Sequence, residues 1–180
     1  MNIFYLHNDT KLCAEFHNNK HVVKMILEYA QLMSTAHRVL DGLPDNILSE
    51  KGRRKTIYRL KDSREDVLYR ATHINHPSAI WVRASHHNYV WLYKLWVHLM
   101  KEYTYRYGKM HASSRLLGSL YILPYNIPEN VEFTEPTPAM PEEFKVSHNS
   151  VLSYINYYVG AKQHIASWKN RKTPEWYIYA

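Results

Sequence analysis

Residues 13–40 read CAEFHNNKHVVKMILEYAQLMSTAHRVL, and this stretch decides the fold class. From Lys20 to Leu40 it contains neither Gly nor Pro, and most of its residues form helix readily. Val22, Ile26, Tyr29, Ala30, Met33 and Leu40 fall on one broad apolar face. A second stripe, His21, Lys24, Glu28, Gln31, Thr35 and Arg38, advances by alternating threes and fours and lines one side of the same helix. Its distal part, Gln31 to Arg38, is expected to face water. At the other end, His17, Asn18, Asn19, Lys20 and His21 gather polar and titratable groups at the helix start. Free backbone N–H groups and the positive end of the helix dipole suit an anion there.

Working outward, Asn8-Asp9 caps a brief helix from Thr10 to Phe16, and Asp41-Gly42 with Pro44 closes the long one. Residues 43–76 are expected to form an exposed basic excursion. Between Lys51 and Arg70 there are eight Lys or Arg against three Asp or Glu, a surplus local enough to assign phosphate contacts to Arg53, Arg54 and Lys55. Pro77 opens a short segment containing Trp81 and Arg83, and Ser85 or Asn88 caps a helix running to Tyr107 before Gly108. Trp91, Leu92, Leu95, Trp96, Leu99 and Tyr103 cover more than half of that helix, which makes it central. A helical stretch from Ser113 to Leu123 precedes a proline-rich connection, 124–146, where five prolines forbid regular helix. The last helix is expected over Asn149–Trp168, with Leu152, Ile155, Val159 and Ile165 inward. A basic, aromatic tail with Lys169, Arg171, Lys172 and Trp176 follows, and these residues, with Lys20, Lys24, Arg83 and Arg106, are expected to join Arg53, Arg54 and Lys55 in contacting nucleic acid, its phosphates above all.

The expected architecture is therefore all-α: one compact domain over residues 1–180, a bundle of four or five helices. Scarce Gly (5 of 180 residues) and the lack of period-two alternation argue against a sandwich or barrel. One Cys excludes an internal disulfide framework and fits a reducing, cytoplasmic setting. No apolar run reaches the length of a membrane span, so no membrane partner is expected, and the chain is expected to be monomeric. A formal charge of +7 favours a polyanionic partner, nucleic acid ahead of a membrane. Twelve His invite a metal, yet there is no HExxH and no Cys pair. His73 and His76 lack an obvious third ligand, so no metal and no cofactor is expected. Phosphate-loop and dinucleotide motifs are absent, and Cys13 sits in an apolar helical pattern that suits packing.

Three segments together resemble the phage pyrimidine-dimer DNA glycosylase family, also called endonuclease V. They are AEFHNNKHV (14–22), YVWLYKLWVHLMKEYTYRYGK (89–109), and the end comprising MPEEFK (140–145) and TPEWY (173–177). The resemblance covers about half the chain and implies a compact helical enzyme that cleaves the glycosidic bond of a damaged pyrimidine in DNA. It thereby implies DNA, most simply duplex, ahead of RNA as the partner. The family attacks the sugar C1′ with an N-terminal α-amine and uses a carboxylate flanked by two arginines as acid–base. Here Asn18 stands at the carboxylate's position and His17 and His21 at the arginines', while Glu15 aligns with a neighbouring family glutamate. Asn2 favours retention of Met1, whose α-amine then takes the nucleophile's role. The implied catalytic set is Met1, His17, Asn18 and His21, with His17 or His21 taking over proton transfer. Lys20 and Lys24 line the same pocket, Glu102 and Arg106 approach it from the central helix, and Trp168 or Trp176 lies near the phosphate path. Two other functions fit the same residues: a base-modifying transferase on this scaffold, or a non-catalytic DNA- or RNA-binding module.

Overall fold

The computed structural model describes residues 1–48 and 52–178; Lys51, at the head of the basic run, lies outside them. The chain is mostly helical, with one small antiparallel sheet. Ile3 to Leu6 enter the core directly as extended chain. Asp9 caps α1, Thr10–Phe16, by accepting the Lys11 and Leu12 amides. The long helix α2, Asn19–Asp41, is capped by the Asn18 side chain and ends at Gly42. Pro77 sits in the first turn of α4, Pro77–Ala84, behind a short α3, Arg64–Val67. Ser85 then caps α5, His86–Tyr107, which ends where Gly108 takes a left-handed conformation (φ 64°). Short α6, Leu117–Tyr121, precedes α7, Ser150–Ala161, and α8, Glu175–Ile178.

The core is the junction of α1, α2, α4 and α5. Trp96 is fully buried, and its indole N–H donates to the Ile26 carbonyl at 2.8 Å, so the largest core side chain leaves no polar atom unmet. Among the described residues no helix is long and apolar enough to cross a membrane.

Three expectations need correction. Residues 43–76 are not an irregular excursion: β1, Leu43–Leu48, pairs antiparallel with β2, Arg54–Arg59. The fold is therefore mostly helical rather than all-α, and it holds eight α-helices among the described residues rather than four or five. The final helix stops at Ala161, and its buried side chains are Ser150, Ser153, Tyr154 and Tyr158. Leu152 remains 41 % exposed, because two tyrosines whose hydroxyls find partners replace the aliphatic face. The distal polar stripe of α2 does not face water either. Thr35 and Arg38 are buried, and the Arg38 guanidinium donates to the carbonyls of Tyr58, Glu65, Leu68 and Tyr69 and to the Glu65 carboxylate. That one side chain ties the hairpin and α3 to α2.

Candidate functional site

At the start of α2 the sequence places His17, Asn18 and His21, and the structure buries all three. The His17 ring lies 2.7 Å from the Cys13 carbonyl through Nδ1 and 3.0 Å from the Tyr29 hydroxyl through Nε2. A carbonyl only accepts, so Nδ1 carries the proton and Nε2 accepts from Tyr29, which itself accepts the Phe4 amide. Burial pushes His17 down to about 4. His21 stacks on Phe4 at 4.0 Å and bonds the Tyr158 hydroxyl through Nδ1. It is pushed down to about 2, first by burial and then by His17, Lys162, Lys24 and Lys20. Both rings are neutral near pH 7. Asn18 spends its carbonyl oxygen on the His21 amide at 2.9 Å, while its Nδ2 is buried without a partner.

The tail seals this end of α2. The Asn19 amide donates to the Ser167 carbonyl, the Lys169 amide to Asn19 Oδ1, and the Trp168 indole to the Phe16 carbonyl. Among the described residues the Asn19 and His21 amides of this first turn are therefore already taken by protein acceptors. Arg106 is also internal: it is 1 % exposed and donates to Glu102, Glu15 O, His17 O and Asn19 Oδ1. Arg171 pairs with Glu102 and Glu15 and lies over the Tyr105 ring at 4.4 Å. Arg83 is half-buried and donates to the Ile74 carbonyl, and burial lowers its pKa. Trp176 packs edge-on against Phe16 and Tyr158. Thus Arg83, Arg106 and Arg171, expected as phosphate contacts, hold the fold together. Lys20, Lys24, Arg53, Arg54, Lys55, Lys169 and Lys172 are exposed.

The one member of the expected catalytic set with a reactive surrounding is Met1. Its α-amine lies 3.4 Å from Glu28 Oε2, and Lys24 Nζ lies 3.1 Å from the other oxygen of that carboxylate. The Met1 and Glu28 side chains are only 7 % and 14 % exposed. His76, the N-cap of α4, accepts the Ser78 amide through Nδ1 and so presents a neutral ring. Burial, the Met1 amine and His73 lower its pKa, while Glu28 raises it. The Met1 amine and the Glu28 carboxylate meet where α2 passes the N-terminal segment. Lys20 and Lys24 extend the face along α2, and Lys162, over the Tyr157 ring at 4.5 Å, borders it near His21.

Sequence reasoning missed Glu28, His76 and Lys162 as site residues. Glu28 was visible as the third member of the polar stripe, about three turns beyond the position that the family resemblance singles out. His76 and Lys162 carry no local signal, because only tertiary packing brings them to α2. Among the described residues no group of three or more His, Cys, Asp or Glu is arranged to hold a metal ion. The chain matches no protein-family model, no curated protein and no solved structure.

Proposed function

We propose that this chain is a nucleic-acid enzyme that cleaves the glycosidic bond of a damaged or modified pyrimidine in DNA, using the Met1 α-amine as nucleophile and Glu28 as acid–base. The observation that carries this reading is the Met1 α-amine held 3.4 Å from a largely buried carboxylate. In its unprotonated form the amine attacks C1′ of the target nucleotide, the C1′–N bond breaks, and the base leaves with a proton. The C1′–O4′ bond of the sugar then opens, O4′ takes the second amine proton by way of Glu28, and the amine nitrogen and C1′ are joined as an imine. Glu28 is placed to accept the proton that the attacking nitrogen sheds, and to remove a C2′ proton in a following elimination that releases the 3′ phosphate. Lys24 fixes the Glu28 carboxylate through its second oxygen, and with Lys20 it offers charge to the flanking phosphates. This assignment moves the acid–base role from His17 or His21, both buried, to Glu28.

Borohydride trapping tests the proposal. The chain, incubated with a duplex carrying an abasic site or an oxidised pyrimidine, is expected to give a covalent adduct whose peptide maps to Met1. Glu28→Gln is expected to reduce turnover by about 10²-fold or more at unchanged folding stability. Absence of any adduct, together with no product by mass spectrometry across modified-base duplexes, would replace the enzyme by a binding module.

A further inference from the structure

The two faces of the β1–β2 hairpin differ. The register pairs Leu43 with Arg59, Asp45 with Ile57 and Ile47 with Lys55 on one face. It pairs Pro44 with Tyr58, Asn46 with Thr56 and Leu48 with Arg54 on the other. The first face is half-covered at Asp45, Ile47 and Ile57, and its Arg59 is neutralised by Asp45 at 2.7 Å. The second face is open at Asn46, Leu48, Arg54 and Thr56, and among the described residues Arg54 has no ion-pair partner.

Its hydrogen-bonding character is one-sided. Thr56 donates its hydroxyl to Asn46 Oδ1 at 2.8 Å, which leaves the Asn46 amide NH₂ and the Arg54 guanidinium as free donors. Leu48, 69 % exposed, adds an apolar surface beside them. Donors matched to acceptors, with an apolar contact alongside, are what the major-groove edges of guanine, adenine and thymine demand. A two-stranded ribbon fits the B-form major groove, whereas the deep, narrow major groove of duplex RNA shuts side chains out. The base of the ribbon is fixed, since buried Arg38 holds the Tyr58 carbonyl and Gly42 passes against the Arg38 and Arg59 carbonyls. Arg38 and Glu28 lie ten residues apart on one helix, roughly 15 Å, about half a turn of B-DNA.

We infer that the hairpin is a major-groove ribbon in which Asn46, Arg54 and Thr56 face base edges, making duplex DNA the substrate class of the site at Met1 and Glu28; this rests on the function proposed above. Guanine N7 lies in the major groove, so dimethyl sulfate footprinting on an undamaged mixed-sequence duplex is the direct test. The intact chain is expected to protect N7 at one or more guanines. Asn46→Ala with Arg54→Ala is expected to lose that protection and about 10-fold or more in duplex affinity, with single-strand affinity little changed. Both positions are exposed, and an unchanged thermal melt verifies that the double variant is folded. Absence of N7 protection by the intact chain, equal losses on duplex and single strand, or equal affinity for duplex RNA would each overturn the inference. Glu28→Gln is expected to keep full protection. N7 protection without borohydride trapping would leave the ribbon standing and remove the chemistry at Met1, and trapping without protection would do the reverse.

Discussion

Arg106 shows how one residue serves a different end from the one its charge suggests. Its guanidinium is fully enclosed and saturated by two carbonyls, the Asn19 amide oxygen and Glu102. Arg106→Leu would leave those acceptors and part of Glu102 unpaired, which costs roughly 3–5 kcal/mol in a buried site. Urea denaturation is expected to register that loss, while nucleic-acid affinity per folded molecule stays unchanged. The buried histidines make a second prediction. His17 and His37 are pushed down to about 4 and His21 to about 2, in each case first by burial, from an ordinary value near 6.5. The unfolded chain therefore binds more protons than the folded one between about pH 6.5 and pH 4, so folding stability is complete above 6.5 and falls as pH drops through that window. At pH 5 the loss is on the order of 1–2 kcal/mol per histidine. Denaturation midpoints at pH 7.5 and pH 5 check the sign. Carboxylates such as Asp62, held down to about 2 by Arg64, lose their contribution only at lower pH.

At the scale of elements, the helices were legible wherever cap and period agreed. Asp9, Asn18, Ser85 and Gly108 each sit where a cap residue belongs, and α1, α2 and α5 follow from them. The hairpin was not legible because its charged residues masked a period of two, and its inward contacts come from Arg38, far off in sequence. The α7 face failed for another reason. Apolar periodicity favoured Leu152 and Ile155, but hydrogen-bonded tyrosines took the buried side. At the candidate site, Met1 was named through the resemblance and proton transfer was given to His17 or His21, which the structure buries, whereas Glu28, the carboxylate that pairs with Met1, was legible only as a member of the polar stripe. The hairpin base gives this scale its prediction. A Cβ on Gly42 would clash with the Arg38 carbonyl oxygen, and that carbonyl is main chain that cannot swing aside. Gly42→Ala is expected to lower stability by roughly 1–3 kcal/mol, the usual cost of overpacking. Hydrogen exchange is expected to quicken at β1 and β2 more than in α5.

For the whole molecule, the formal charge of +7 divides between cations that build the fold and cations that meet solvent. Arg38, Arg64, Arg106 and Arg171 belong to the first group, through ion pairs with Glu65, Asp41, Glu102 and Glu15. Lys20, Lys24, Lys55 and Lys172 belong to the second. Duplex affinity is expected to fall linearly in log–log form with salt, and each exposed lysine that touches a phosphate should, on removal, reduce the slope by about 0.9. Lys20→Ala tests this, and an unaltered slope would take that lysine out of the interface. The ion pair at Met1 has a practical consequence for preparing the protein. An affinity tag fused ahead of Met1 would turn the amine into an amide and abolish its charge. Glu28 would keep Lys24 alone as a partner, and under the proposed function a tagged preparation is expected to lose borohydride trapping.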